Sequence, residues 1–404
     1  MTTSSSGQSE FSRPTRTWLR LGVVSVGLGF VLGLGLGLRN PDVGSKPPDP
    51  AAFRLPSDPE QSWMNPLSPA YLGDEGCATC HAEEAKRHRG SGHSRTLLAR
   101  DLALAFPDLA GREENDPERE GRIRFVRQGN DLVAEYRNGS AMESLPIQFA
   151  VGSGTHAVTF LTLLSSPDDA PKGLEHRFSL FDQGKILALT PSHRREEVRE
   201  PMERFGRLHH GRDAQGCLGC HSVTGQIQGT TVDDLRPGVG CESCHGPGRE
   251  HAASMTEGGE ASTILFAKGQ TSALAEVRMC GRCHRLPEMI VPPEPISEPK
   301  LARFQPVGLL NSACFQKARG QLRCTTCHDP HAATERDPAY YAAICLKCHS
   351  TGVPQSRICP QSAQDRCVEC HMPPVEVHPH IAFHDHWIRV RSDQADETRE
   401  KRRP

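Results

Sequence analysis

The sequence predicts a mainly α fold with much irregular structure, a small β-rich insert and an N-terminal transmembrane helix. Three observations carry this reading: a C-x-x-C-H pattern repeated seven times, one long cysteine-free stretch of alternating residues, and one apolar run near the start. At 404 residues the chain is long enough for two or three domains, yet only 36% of it is hydrophobic and 5% aromatic. That is a thin core for the length, so something other than side chains is expected to fill part of the interior.

Taken in order, residues 1–17 are polar, with Arg13 and Arg16 and then Arg20 set close to an apolar run ending at Leu38. Residues 18–38 as a helix would span about 31 Å, enough to cross a bilayer, and the run lacks an A-x-A cleavage site. The segment therefore reads as an uncleaved single-pass anchor in the cell membrane. The flanking arginines put the N-terminus in the cytoplasm and the bulk of the chain in the periplasm. Residues 39–70 are Pro-rich, a linker of extended chain. Residues 71–390 hold all seven motifs, and 391–404 form a charged tail.

The first two motifs are separated by about 136 residues without a cysteine. There "RIRFVRQGNDLVAEYRNG" alternates around Gly129 and Asn130, and "HRFSLFDQGKILAL" does so around Gln183 and Gly184. Each reads as a hairpin, giving a β-rich insert at about 110–200. From Cys217 on, successive first cysteines are 24, 39, 44, 21 and 22 residues apart. That is too little chain for a separate core around each, and short helices and loops are expected.

The motifs pair Cys77 and Cys80 with His81, Cys217 and Cys220 with His221, Cys241 and Cys244 with His245, and Cys280 and Cys283 with His284. Cys324 and Cys327 follow with His328, Cys345 and Cys348 with His349, and Cys367 and Cys370 with His371. Random placement of 16 Cys and 20 His would produce about 0.03 such motifs. In C-x-x-C-H two thiols add to the vinyl groups of one porphyrin edge while the adjacent imidazole reaches the iron, the c-type haem attachment. A structural zinc site instead wants two separated ligand pairs and leaves seven histidines unexplained. A thioredoxin-like use needs one reactive pair in a βαβ setting. The expected cofactors are thus seven covalently bound haem c groups, with iron held on the proximal side by the seven motif histidines. Cys314 and Cys359 stand outside the motifs and are candidates for a disulfide.

A formal net charge of −2 gives no basic face for nucleic acid. Haem propionates would make the chain more acidic, and its mostly Arg cations suit paired carboxylates.

Histidines outside the motifs supply candidate distal ligands. His251 and His331 lie just past a proximal histidine, where Gly or Pro turns the chain away, so each is expected to serve a neighbouring haem. His93 follows, then His209 or His210 in "LHHGRD" and His384 or His386 in "FHDHWIRV", with His156 and His193 behind them. His88, His176, His378 and His380 read as surface or hydrogen-bonding residues. Met372 directly follows His371 and so does not reach the opposite face of the same iron.

The sequence resembles the exported multihaem c-type cytochromes carrying a cytochrome c-552/4 domain. The likeness rests on "CATCHAEEAKRHRGSGH", "GVGCESCHGPGREHAA", "SACFQKARGQLRCTTCHDPHA", "CVECHMPP" and "FHDHWIRV", with "AVGSGTHAVTFL" between the first two motifs. It covers roughly Tyr71 to Val390. The resemblance implies His93, His251 and His331 as distal ligands and electron transfer in respiratory nitrogen and sulfur metabolism. Related catalytic enzymes often carry a lysine-ligated haem or an open iron, whereas all seven motifs here end in His.

The expected function is a membrane-anchored heptahaem cytochrome passing single electrons along closely spaced, mostly bis-His haems in a respiratory chain. Its partners would be the membrane and a quinol-linked donor or other respiratory redox protein, with no nucleic acid. The alternative is a multihaem oxidoreductase acting on a small nitrogen or sulfur compound at one five-coordinate haem. The first motif and "CGRCHRLPEMI" around His284, with Arg282 and Arg285, are where that site is expected. Electron transfer is favoured over substrate conversion.

Overall fold

The computed structural model describes residues 63–193, 198–259, 263–266, 271–352, 359 and 365–391. The chain enters through two short helices, α1 (Asp74–Ala78) and α2 (Ala82–Arg89). It then builds ten strands: β1 (Leu97–Leu98), β2 (Glu113–Asn115), β3 (Arg122–Gln128), β4 (Asp131–Asn138), β5 (Ala141–Ile147), β6 (Phe149–Val151), β7 (Ala157–Leu164), β8 (Lys172–Phe181), β9 (Ile186–Leu189) and β10 (Gly206–His210). Strands β2-β3-β4-β5 form one antiparallel sheet, and β1-β6-β7-β8-β10, with β9 on β8, form a second.

Both expected hairpins are present. Gln128 pairs with Asp131 across Gly129 and Asn130, and Phe181 pairs with Ile186 across Gln183 and Gly184. Gly129 sits at φ 63°, a left-handed turn position where a residue without Cβ carries no steric penalty.

The alternation places Ile123, Phe125, Leu132 and Leu145 of the smaller sheet against Val158, Phe160, Leu174 and Phe178 of the larger one, in one shared core. The other face of the larger sheet is also covered: Phe149, Leu161 and Leu163 pack on Leu218. Leu218 belongs to α4 (Arg212–His221), the helix that ends in the second motif. Alternation along β7 feeds both faces, and its pairing with β8 shifts register between Thr159 and Leu161. Arg177 in β8 is fully buried and bound through Nε and a terminal nitrogen to Asp116, at 2.6 and 2.9 Å, with Glu118 at 2.9 Å.

Beyond α4 come a hairpin, β11 (Ser222–Gln228) and β12 (Thr231–Pro237), then α5 (Cys241–His245), α6 (Arg249–Thr256) and α7 (Ala273–His284). Helices α8 (Gln305–Asn311), α9 (Ala313–Lys317), α10 (Cys324–Cys327), α11 (Pro338–Leu346) and α12 (Cys367–His371) follow, and a last hairpin joins β13 (Pro374–His378) to β14 (Ile381–His384).

Two expectations need correction. The fold is mixed rather than mainly α, with about 33% helix and 26% strand in several antiparallel sheets. Helices stay short because each motif needs only about one turn, and the alternating residues of the long insert make more strand than the two hairpins first read there. The second correction concerns the membrane. Among the described residues no helix is long and apolar enough to cross one. The longest, α7, has 12 residues, against the roughly 20 a crossing needs. The expected anchor at 18–38 lies outside the described residues, as do residues 1–17, the linker up to 62 and the tail from 392. The single-pass localisation deduced from that anchor is therefore not carried further.

Candidate functional site

Each motif is built on about one helical turn. The amide of His81 donates to the Cys77 carbonyl at 2.9 Å, that of His328 to Cys324 at 3.0 Å and that of His349 to Cys345 at 3.0 Å. Residues three and four apart share a helix face, so both thiols and the imidazole are presented together. The second, third, fourth and seventh motifs end α4, α5, α7 and α12, and the fifth forms α10 with His328 as its C-cap.

Four motif histidines face a second histidine from elsewhere in the chain. Ring centroids are 6.4 Å apart for His81 and His251, 6.3 Å for His284 and His93, 6.0 Å for His245 and His331, and 6.2 Å for His328 and His386. A metal–imidazole bond of about 2.0–2.1 Å plus about 1.1 Å from nitrogen to centroid, counted on both sides, comes to about 6.3 Å. The four pairs therefore leave the span that one bis-imidazole iron takes. Among the described residues no group of three or more His, Cys, Asp or Glu converges as a metal shell. The donors come in opposed pairs, the arrangement a porphyrin completes with its own four nitrogens and a zinc site does not use.

Backbone and amide oxygens set the imidazole tautomers. Nδ1 of His245 donates to Leu265 O at 2.9 Å, that of His221 to Thr96 O at 3.1 Å, that of His371 to Arg389 O at 3.0 Å and that of His284 to Gln305 Oε1 at 3.0 Å. On the opposed side, His386 Nδ1 donates to His384 O at 2.9 Å. With Nδ1 engaged, Nε2 is left as the lone-pair nitrogen, as ligation requires.

The motifs from Cys217 to Cys370 wall a cavity of about 3610 Å³, together with His93, His221, His284, His328, His371 and His386. A pocket for one small molecule is roughly 300–1,000 Å³, so these walls suit several large cofactors at once. Burial pushes the Cys217 thiol up to about 12 and the Cys244 thiol to about 11, which works against thiolate chemistry at these positions. The residues present fit haem c: paired thiols, an adjacent imidazole and, for four motifs, an opposed imidazole.

Thiols of different motifs also meet. The Cys77 thiol lies beside Cys241, Cys220 beside Cys283, Cys280 beside Cys324 and Cys345 beside Cys367. These contacts tie the first motif to the third, the fourth to both the second and the fifth, and the sixth to the seventh. Cys314 and Cys359 are not joined in a disulfide.

Other expected ligands lie elsewhere. His193 and His209 donate through Nε2 to the Glu175 carboxylate, at 3.0 and 3.3 Å. His210 is exposed, His384 Nδ1 donates to Met372 O at 2.6 Å, and His156 packs 4.6 Å from the Phe383 ring. His176 is buried against Thr162 Oγ1 at 2.8 Å, His88 is buried on α2, and His378 and His380 lie on the Phe181 ring. The first and fourth motifs, where the alternative reading expects a five-coordinate haem, are both opposed by a histidine. Among the described residues no histidine ring faces His221 or His371 at such a distance. The Glu175 cluster was missed in sequence because its three members come from β8, β10 and the loop between β9 and β10, with no shared period.

The family model described as cytochrome c554 and c-prime matches residues 183–246, which include the second and third motifs. Cytochrome c-554 of Nitrosomonas europaea is 38% identical over 81 residues, 17% of this chain and 34% of the relative. The chain thus spans about a third of the length of the curated relative it matches. No solved structure matches. These matches support a c-type cytochrome domain, the kind that holds haem c covalently, around the second and third motifs.

Proposed function

We propose that this chain is a seven-haem c-type cytochrome that relays single electrons between redox partners. The observation that carries the reading is the set of four opposed histidine pairs, each joining a motif histidine to an imidazole from a distant segment. Haem c, when bound, supplies a one-electron couple whose potential depends on axial ligands, burial and nearby charge. Fourteen motif cysteines would anchor the groups, with His81, His221, His245, His284, His328, His349 and His371 as proximal and His251, His93, His331 and His386 as distal ligands. At those four irons two strong nitrogen donors would leave no open position, which suits electron transfer rather than substrate binding. The thiol contacts between motifs support close spacing, because they bring attachment points of neighbouring motifs together. The β-rich stretch at about 110–200 would serve as the rigid support on which α4 seats the second motif. The donor and acceptor are proposed to be respiratory redox proteins, a quinol-linked one among them.

A second reading, conversion of a small nitrogen or sulfur compound at one five-coordinate iron, is favoured by one observation. Neither His221 nor His371 has a histidine ring opposite it at that distance among the described residues. Pyridine haemochrome counting with low-temperature electron paramagnetic resonance of the ferric protein separates the two. Seven haems, low-spin at the four opposed pairs and with no iron that responds to nitrite, are expected for the relay. A high-spin iron that responds to nitrite would move the function to the second reading, and zinc without a Soret band would remove both.

A further inference from the structure

Two arginines share one aromatic ring beside the second motif. The guanidinium carbon of Arg285 lies 5.3 Å from the Phe304 ring centroid and that of Arg303 lies 5.0 Å from the same centroid. Among the described residues neither guanidinium has a hydrogen-bonded or ion-paired carboxylate. Both face the large cavity, together with Phe304, Cys217, His209 and Glu175.

Glu175 does not act as their partner. Its Oε2 already accepts from His193 at 3.0 Å and from His209 at 3.3 Å. Burial lowers the Arg303 pKa, and the neighbouring Arg285 lowers it further, while Glu175 acts in the opposite direction. Both side chains stand exposed on the cavity wall, and two like charges drawn to one ring are relieved by an anion placed between them. Guanidinium forks match a planar oxyanion with two parallel N–H···O bonds, and the Phe304 face holds both forks in place.

We propose that Arg285 and Arg303, steadied on Phe304, form a clamp for one oxyanion at the edge of the second motif, on the cavity wall that His209 also lines. The ligand chemistry is a carboxylate or a small planar oxyanion. It has two sources, a propionate of a bound haem or a free anion from solution, and the first source rests on the haem reading above.

The test uses the full-chain ferric holoprotein, titrated with sodium nitrite at fixed ionic strength balanced with chloride. Binding is followed by calorimetry and the visible spectrum, and haem potentials by spectroelectrochemistry, for the wild type, Arg285→Gln and Arg303→Gln. Saturable one-to-one nitrite binding that weakens at least tenfold in both variants identifies a free anion. No nitrite binding, with one haem potential moved downward in both variants, identifies a propionate, because removing a cation favours the oxidised haem. Nitrite binding that is indifferent to both substitutions, or no binding together with unmoved potentials, overturns the clamp. Haem stoichiometry on the same samples reports a failure of the haem reading separately. If either Gln variant loses haem, Arg303→Lys keeps the charge without the fork and is expected to show the same effect in weaker form; a wild-type-like result there also overturns the clamp.

Discussion

The His251 ring stacks on that of His81, centroids 6.4 Å apart and planes 22° apart, although His81 caps α2 before the β-rich stretch and His251 lies on α6 after it. His251 sits only six residues past His245, yet His245 faces His331 instead. Each motif histidine so opposed takes its partner from a different segment.

If His251 is the sixth ligand of the first haem, His251→Ala leaves that iron with one protein ligand. Electron paramagnetic resonance of the ferric variant is expected to lose one low-spin centre and gain one high-spin centre. His378→Ala, on the Phe181 ring, is expected to leave the spectrum as it was. An unaltered spectrum for His251→Ala would sink the pairing.

Glu242, only 5% exposed, links the first and third motifs. Its carboxylate accepts from the amides of Leu72, Gly73 and Gly248 at 2.7, 2.8 and 2.8 Å and from Arg236 at 3.3 Å. Glu242→Ala strands three amide donors and one guanidinium, an expected loss of about 3 kcal/mol in chemical denaturation. Glu242→Gln, which keeps one acceptor, is expected to lose less.

Gly219 lies inside the second motif, where an added Cβ would stand 2.4 Å from the Trp63 carbonyl oxygen. That contact is with backbone, which yields little. Gly219→Ala is expected to unseat α4 from the segment at Trp63 and lower the haem count by one in pyridine haemochrome assay, at a stability cost of about 1–3 kcal/mol. A full count at wild-type stability would show that α4 has room to shift.

The β-rich stretch carries a pH dependence of fixed sign. Burial holds His176 at about 3, down from 6.5, so the folded protein stays neutral there while the unfolded chain takes a proton. Burial alone would raise Glu175, but hydrogen bonds from His193 and His209 hold it near 2, down from 4.5. A depressed folded pKa stabilises above the unfolded value and less so as pH falls. Stability is therefore expected to drop below pH 6.5, by about 1.4 kcal/mol per pH unit for one proton, and more steeply below 4.5 as Glu175 joins. Thermal unfolding between pH 7 and pH 4 measures this. His176→Gln keeps a hydrogen-bonding group near Thr162 and is expected to flatten the upper part of the slope.

Much of the chemistry was legible in residue order. The C-x-x-C-H spacing is satisfied within one helical turn, so it announces itself locally, as do the alternating hairpins at Gly129 and at Gln183. Local spacing served less well where it was asked about long-range contacts. It nominated His209 and His193 as ligands, but both are held by Glu175, and its alternative reading expected a five-coordinate haem at the first or fourth motif, which His251 and His93 oppose. The extent of β structure was also underread, because strands buried on both faces, such as β7 with Phe160 on one side and Leu161 on the other, read as continuous apolar runs.

By itself the sequence determined the attachment chemistry: paired thiols beside an imidazole, repeated seven times. Only the tertiary structure decided which imidazole faces which motif, which thiols meet, and that Arg285 and Arg303 share the Phe304 ring. The first kind of information lies within about one turn of backbone. The second depends on segments brought together by packing, and sequence spacing does not report distances through space.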